Sequence, residues 1–420
     1  MGKSPRPTLV YADKKGNIYD DPELLMLCRQ GNEIGLPKPD ELIPLPPESD
    51  LYLLPQRKAL GLDPQTGKIE SAPFSAVAAF VCPGYTLSAV TAYISEENAE
   101  SLPLFSYAAV GYARGQFWVT AKKVDMDTRQ VFCNINPQKI EKGAKRLLKK
   151  FPDNRLVQHL THCALTYSCP AAKNLALGRF ECPLPTARTC NARCVGCISK
   201  QDEESGFSSP QNRITFRPAQ EEIVQIMSEH AAREKKAIFS FGQGCEGEPL
   251  TETKLLASSV KKYRRHGGWG TVNVNTNASL PESMDELAYA GFNSIRVSLN
   301  SAREDVYNLY YRPKSYSFAD VLESMRRAKE KKLFISLNYL FFPGINDTEQ
   351  ELSALSRLVL DFDVDLIQMR NLNLDPELYI DLMRDQNRTG GRMGLKNFMR
   401  RLKMACPKIR FGYFNPYLGQ

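Results

Sequence analysis

The chain has 420 residues, 42% hydrophobic and 24% charged, with 55 Lys and Arg against 47 Asp and Glu for a formal charge of +8. This length and composition suit one large and one smaller globular domain and exclude a disordered, collagen-like or disulfide-stapled chain. The mild positive charge favours approach to acidic ligands without establishing a nucleic-acid partner.

No run of about 18 apolar residues occurs, so no membrane span is expected. The start, "MGKSPRPTLVYADKKGN", lacks the apolar stretch of a secretory signal. The expected location is the cytoplasm, where thiols stay reduced. Eleven cysteines there point to metal or redox chemistry rather than a disulfide framework.

The first part of the chain carries short extended runs broken by turn signals: "TLVYAD", "SAVAAFV", "YTLSAVTAYIS" and "LFSYAAVGYARGQFWVTAKKV". The last predicts a hairpin at "YARGQF". The prolines of "GLPKPDELIPLPPESDLYLLP" predict an irregular surface segment, and "QKIEKGAKRLLKKF" an amphipathic helix. Residues 1–150 are expected to form a small α+β domain, followed by a structured connector over 151–180. The stiff, apolar "IPLPPESDLYLLP" suits docking against another face, so this domain is expected to pack over or beside the one that follows.

From residue 181 strand and helix alternate. Strand-like runs are "GRFECPL", "AIFSFG", "TVNVNT", "SIRVSL", "LFISLNYLF" and "DLIQM". The helical patterns between them have expected caps at Thr251 and Asp347. Such alternation predicts a parallel sheet with right-handed crossovers. Its expected form is a partial parallel (β/α)6-type barrel over 181–390, with a basic extension over 391–420. The basic run "RTGGRMGLKNFMRRLKMACPKIR" reads as a solvated helix face, with an acidic partner or RNA as the alternative. Active sites in such folds lie at the carboxyl ends of the strands, and a loop rich in cysteine follows the first strand.

That loop is "TCNARCVGCISK". Cys190, Cys194 and Cys197 have the spacing Cys-x3-Cys-x2-Cys. Three readings compete. A structural zinc site wants four ligands, often in paired knuckles, and no second knuckle follows. A ferredoxin-type cluster wants four thiolates. A four-iron, four-sulfur cluster on three cysteines leaves one iron open, and an open coordination position is where a metal acts on a bound molecule.

"CNARCVGC" resembles the signature of the radical SAM superfamily. The resemblance implies that the open iron chelates S-adenosylmethionine and that electron transfer into the sulfonium gives a 5′-deoxyadenosyl radical. It continues along the chain. Gly247, Glu248 and Pro249 in "FSFGQGCEGEPL" are similar to the family's Gly-Glu-Pro element. Asn277 in "NVNTNAS" resembles the Asn of its Thr-Asn-Gly element. Ser298 and Asn300 in "IRVSLNS" match positions that contact the cofactor, and Arg312 in "LYYRPKS" is expected to supply a cation for the methionine carboxylate. "FFPGINDTEQEL" also fits. The similarity spans roughly residues 180–375, about half the chain.

It implies a cytoplasmic, oxygen-sensitive enzyme with one 4Fe-4S cluster, S-adenosylmethionine and a reductant such as flavodoxin or ferredoxin. The substrate, whether small molecule, peptide or RNA, is not indicated. One departure is Gly196 where the family usually has an aromatic residue; the adenine contacts would then come from the Gly196 backbone and Ile198. The competing functions are a non-catalytic iron–sulfur electron carrier and a zinc-stabilised nucleic-acid-binding module.

The remaining cysteines read as ordinary thiols. Cys28, Cys82, Cys133 and Cys406 are expected in the core. Cys163, Cys169 and Cys182 are expected in core or connector roles, with an auxiliary cluster as the alternative. Cys245 reads as a small loop residue, with hydrogen donation as the alternative. His159 and His162 read as ordinary packed or surface histidines.

Overall fold

Two sheets organise residues 5–387 and 391–419, the part of the chain that this computed structural model describes. Arg388–Gly390, at the start of the basic run, and the first four residues of the N-terminus lie outside the described residues.

The first sheet is built from β1 (Thr8–Ala12), β2 (Ile18–Met26), β3 (Cys28–Gln30), β4 (Glu33–Gly35), β5 (Leu42–Pro44), β6 (Asp50–Leu62), β7 (Ile69–Phe80), β8 (Tyr85–Leu87), β9 (Val90–Thr91), β10 (Tyr93–Ser95), β11 (Ala108–Ala113) and β12 (Gln116–Lys123). All its pairings among the described residues are antiparallel. The predicted hairpin joins β11 and β12 in the register Ala113↔Gln116. Arg114 and Gly115 make its turn at φ 54° and 77°, the left-handed pair that matches strand twist.

The proline-rich segment is not irregular throughout. Its middle forms β5 on β12, and its end opens β6, which pairs with β7 from Asp50 onward. The prolines are tolerated for local reasons. Pro44 ends a three-residue edge strand, and Pro55 sits where the β6–β7 register shifts, so no ladder hydrogen bond is lost.

Helices α1 (Pro137–Lys150), α2 (Arg155–Leu165) and α3 (Pro170–Leu177) pack on one another. Leu147, Leu156, Leu160 and Leu175 from them join the core of the second sheet. Leu147 of α1 thus packs in a core that also holds Val90 and Leu104 from the N-terminal part.

The second sheet has seven parallel strands in chain order: β13 (Glu181–Leu184), β14 (Ile238–Phe241), β15 (Thr271–Thr276), β16 (Ser294–Leu299), β17 (Phe334–Phe341), β18 (Leu366–Asn371) and β19 (Arg410–Gly412). The crossovers carry α4 (Gln220–Ala231), α5 (Thr253–Arg265), α6 (Glu282–Ala290), α7 (Glu304–Tyr311), α8 (Phe318–Glu330), α9 (Glu349–Asp361), α10 (Pro376–Leu382) and α11 (Leu395–Ala405). β13 and β19 stay unpaired with each other among the described residues, so the sheet is a partial barrel.

It has one strand more than expected. The three-residue "RFG" is too short to carry a period, and it becomes a strand only because β18 offers an edge. α11, in the basic run, is amphipathic: Leu395, Phe398 and Leu402 are buried while its basic residues face outward. Both expected caps shift. Thr348, not Asp347, caps α9 by accepting from the Glu351 N–H, and Thr251 lies in a 3-10 turn before α5. Asp347 is buried and accepts from the Gly344 and Gly394 N–H groups instead.

The two sheets are docked by buried polar contacts. Arg57 pairs with Asp375 at 3.1 Å, the two side chains 3% and 4% exposed. The Thr86 hydroxyl donates to the Met369 carbonyl at 2.6 Å, and the Leu87 N–H to the Asn371 side chain at 2.9 Å. These contacts lie at the carboxyl end of β18, so the N-terminal sheet sits beside the barrel mouth. The two ends of "IPLPPESDLYLLP" are used for strand pairing, and Glu48 between them accepts from the Phe132 and Cys133 N–H groups in the turn before α1.

Candidate active site

A cavity of about 400 Å³ opens at the carboxyl ends of the parallel strands. Cys190, Cys194 and Cys197 line it, together with Gly247, Glu248 and Pro249, Asn277 and Ser298. Cys190 and Ser298, 108 positions apart in sequence, thus line one cavity. Phe80, Val81, Pro83 and Ser106 of the N-terminal sheet complete its rim.

Backbone contacts shape the cysteine loop. The Gly247 N–H donates to the Ala187 carbonyl at 2.7 Å and the Glu248 N–H to the Thr189 carbonyl at 2.8 Å. On the other side the Val195 N–H donates to the Tyr310 carbonyl at 2.9 Å. Gly247 is required by this approach, since a Cβ there would stand 1.9 Å from the Thr189 oxygen. Its lack of a side chain therefore serves loop-to-loop contact.

Two buried glutamates brace the loops. Glu248 accepts from the Thr276 hydroxyl at 2.5 Å, the Asn277 N–H at 2.8 Å and the Leu250 N–H at 3.0 Å. Glu246, which the sequence reading passed over, accepts from the N–H groups of Thr186, Ala187 and Gln243. Burial pushes both carboxyls up to about 7, while the backbone donors pull them down. Asn277 donates to the Asn191 side chain at 2.9 Å, linking the end of β15 to the cysteine loop.

Two expected residues are not at the cavity. Asn300 lies just past the end of β16 and is fully buried, donating to the Val306 carbonyl and the Tyr379 hydroxyl. Strand alternation puts Arg296 and Ser298 on the cavity face, but it does not extend beyond Leu299. Arg312 is exposed at the end of α7 in the left-handed region (φ 47°).

Three other arginines do reach the cavity: Arg213, Arg296 and Arg370. Arg213 donates to the Ser199 hydroxyl at 3.1 Å and to Cys197 Sγ at 3.5 Å. Arg296 donates through one Nη to Gln368, and its buried Nε has no partner. Burial lowers its pKa to about 9. Arg370 lies 3.9 Å over the Tyr413 ring. The Oδ1 of Asn338, on the neighbouring strand, is likewise buried without a partner. A charged residue inside an otherwise strand-like run, as in "SIRVSL" and "LIQMRN", is the signal that marks Arg296 and Arg370.

The Gly196 departure has a structural counterpart. A Cβ at Gly196 would meet the Tyr310 hydroxyl at 2.7 Å, so α7 supplies an aromatic ring beside the position where the loop lacks one. Tyr310 and Ile198 both line the cavity. Burial also raises the thiol pKa of Cys190 and Cys194.

Of the remaining cysteines, Cys28, Cys82, Cys182 and Cys406 are buried, whereas Cys133 is exposed in the turn before α1. Cys245 is buried on the side of its loop away from the cavity, so it is not placed to donate hydrogen there.

The profile described as "Radical SAM superfamily" matches residues 184–355. Curated relatives include GTP 3′,8-cyclase of Campylobacter lari, 24% identical over 217 residues, covering 51% of this chain and 59% of that protein. The FeMo cofactor biosynthesis protein NifB of Klebsiella pneumoniae is 25% identical over 179 residues, covering 39% and 38%. The chain thus spans less than two thirds of these relatives. Among solved structures, HydG, a maturase of the FeFe-hydrogenase, is similar over 66% of this chain and 67% of its own, with 15% identity and a TM-score of 0.38.

Proposed function

We propose that this chain, whose residues 184–355 match the radical SAM superfamily profile, is a radical SAM enzyme holding a 4Fe-4S cluster on Cys190, Cys194 and Cys197 and acting on an anionic substrate in the cavity beside them. The carrying observation is convergence: the three thiols, the Gly-Glu-Pro loop, Asn277 and Ser298 face one cavity. A mere electron carrier has no use for the last three.

The residues present fit the family's two cofactors. Three thiols at the cavity wall offer soft ligands, and Arg213 already points a donor at Cys197 Sγ. The unpartnered Asn338 Oδ1 and Arg296 Nε offer an acceptor and a donor to a bound polar molecule. When bound, the cluster and S-adenosylmethionine together supply a 5′-deoxyadenosyl radical by one-electron reductive cleavage. The rest falls to the protein: positioning, and exclusion of water. Glu246 and Glu248 fix the two loops, and Tyr310, Phe80 and Val81 shield the cavity. The N-terminal sheet, forming part of the rim, shapes substrate choice.

An anionic substrate is favoured by Arg213, Arg296 and Arg370, none in an ion pair among the described residues. All three are half-buried, and a partly desolvated guanidinium without a carboxylate partner is stabilised when an anion joins it. The likeness to enzymes named for GTP agrees with a phosphorylated substrate. The reading calls for a flavodoxin- or ferredoxin-class reductant and a reducing, cytoplasmic setting.

Two expected results test it. Ser298→Ala should weaken S-adenosylmethionine binding by about 1.5–3 kcal/mol, the worth of a hydrogen bond to a charged group, with iron content unchanged. Calorimetry on the reconstituted protein reads this directly, and unchanged affinity removes Ser298 from the cofactor site. The double variant Arg296→Met/Arg370→Met should still cleave S-adenosylmethionine but lose binding of inorganic pyrophosphate as an anion probe. Equal pyrophosphate affinity in parent and variant would place the anion elsewhere.

A further inference from the structure

Behind the Gly-Glu-Pro loop lies a second donor set. His159 and Cys163 are four residues apart on α2 and so share one helical face. Cys245, in the loop after β14, meets them from the barrel side. His159 Nε2 stands 3.4 Å from Cys245 Sγ and 3.6 Å from Cys163 Sγ. All three ligand atoms lie within 4.8 Å of one another, and the cysteine-loop thiols form no such set.

These distances are those of a metal site. A tetrahedral zinc ion with Zn–S about 2.3 Å and Zn–N about 2.05 Å sets its nitrogen and sulfur donors about 3.5 Å apart. Neutral imidazole and thiolate together suit zinc-class ions. The set is too tight for a four-iron cluster, whose thiolates must reach around a cube of iron and sulfide. The surroundings are enclosed: Cys163 and Cys245 are 2% and 5% exposed. Cys169 packs on the same cluster, and its N–H donates to the Cys163 carbonyl at 3.0 Å.

We propose that His159 Nε2, Cys163 Sγ and Cys245 Sγ bind a single zinc-class divalent ion that ties α2 to the loop carrying Glu246, Gly247 and Glu248. Binding takes both cysteines as thiolates, their protons passing to solvent, with no change of oxidation state. The ion braces the loop from the side opposite the cavity, where it has no access to substrate. This inference does not depend on the radical reading.

Metal analysis of the full-length protein decides it. After anaerobic loading of the cysteine loop and exposure to Zn2+, gel filtration should leave about one tightly held zinc per chain, the count of a single site. Cys163→Ser/Cys245→Ser should lose that zinc and keep its iron. His159→Gln, which preserves both thiols and most of the packing, should weaken zinc retention at least tenfold and serves if the double variant does not fold. In a background with Cys190, Cys194 and Cys197 changed to Ser, Co2+ should give a thiolate charge-transfer band that disappears when Cys163 and Cys245 are also changed. Zinc content and cobalt spectrum indifferent to these substitutions, no retained zinc in the parent, or iron and sulfide at this set would overturn the proposal. Loss of iron in the cysteine-loop variant with zinc retained would leave it standing.

Discussion

Changing Cys190, Cys194 and Cys197 together to alanine is expected to remove about four irons per chain and all formation of 5′-deoxyadenosine from S-adenosylmethionine, without unfolding the protein. The loop keeps its shape through bonds that do not involve the thiols. Gly247 and Glu248 hold Ala187 and Thr189, Tyr310 holds Val195, and Asn277 holds Asn191. All three cysteines are partly exposed, so truncation leaves no large sealed void. Iron analysis, a visible spectrum and circular dichroism on the triple variant give the answer. Full iron content would mean that another part of the chain carries the cluster.

Asp375→Ala should produce the largest loss of stability. Asp375 accepts from Arg57 at 3.1 Å and from the Leu102 N–H at 2.8 Å, and it caps α10 through the Glu377 N–H at 2.9 Å. Truncation leaves the Arg57 guanidinium buried and unpaired. Breaking a buried pair from one side costs about 3–5 kcal/mol, and the lost cap adds about 1 kcal/mol. The urea midpoint should fall accordingly. Arg57→Met/Asp375→Asn, which removes the charge from both partners and keeps a capping oxygen, should recover most of the loss. A loss below about 1 kcal/mol in the single variant would mean that the N-terminal sheet docks by other contacts.

The repeating parts of the fold were legible in the sequence. Six of the seven parallel strands and most of the crossover helices announce themselves through apolar runs and helical spacing, as in "TVNVNT" and "SFADVLESMRRAKEKK". β19 did not, because three residues have no period and pair only where β18 offers an edge. The proline-rich segment misled because Pro44 and Pro55 fall where a strand tolerates them, at an edge and at a register shift.

In the site, the cysteine spacing and the Gly-Glu-Pro loop are local patterns and could be read directly. Asn300 and Arg312 show where local reading fails. Alternation stops at the last paired residue, so Asn300 turns into the helix layer, and the left-handed backbone at Arg312 ends α7 with its side chain in solvent. Their place at the cavity is taken by Arg296 and Arg370, brought together by the register of β16, β17 and β18. Partners such as Glu246 with Thr186, or His159 with Cys245, join segments about 60 and 86 residues apart and leave no local trace.

If the proposed function holds, the cysteine-loop cavity binds S-adenosylmethionine against a cluster and cleaves it. The most direct measurement is electron paramagnetic resonance of the anaerobically reconstituted, dithionite-reduced protein before and after adding S-adenosylmethionine, with 5′-deoxyadenosine quantified in the same samples. The reduced-cluster signal should change on adding S-adenosylmethionine, and 5′-deoxyadenosine should accumulate with time. A signal indifferent to S-adenosylmethionine, with no 5′-deoxyadenosine formed, would contradict the proposed function.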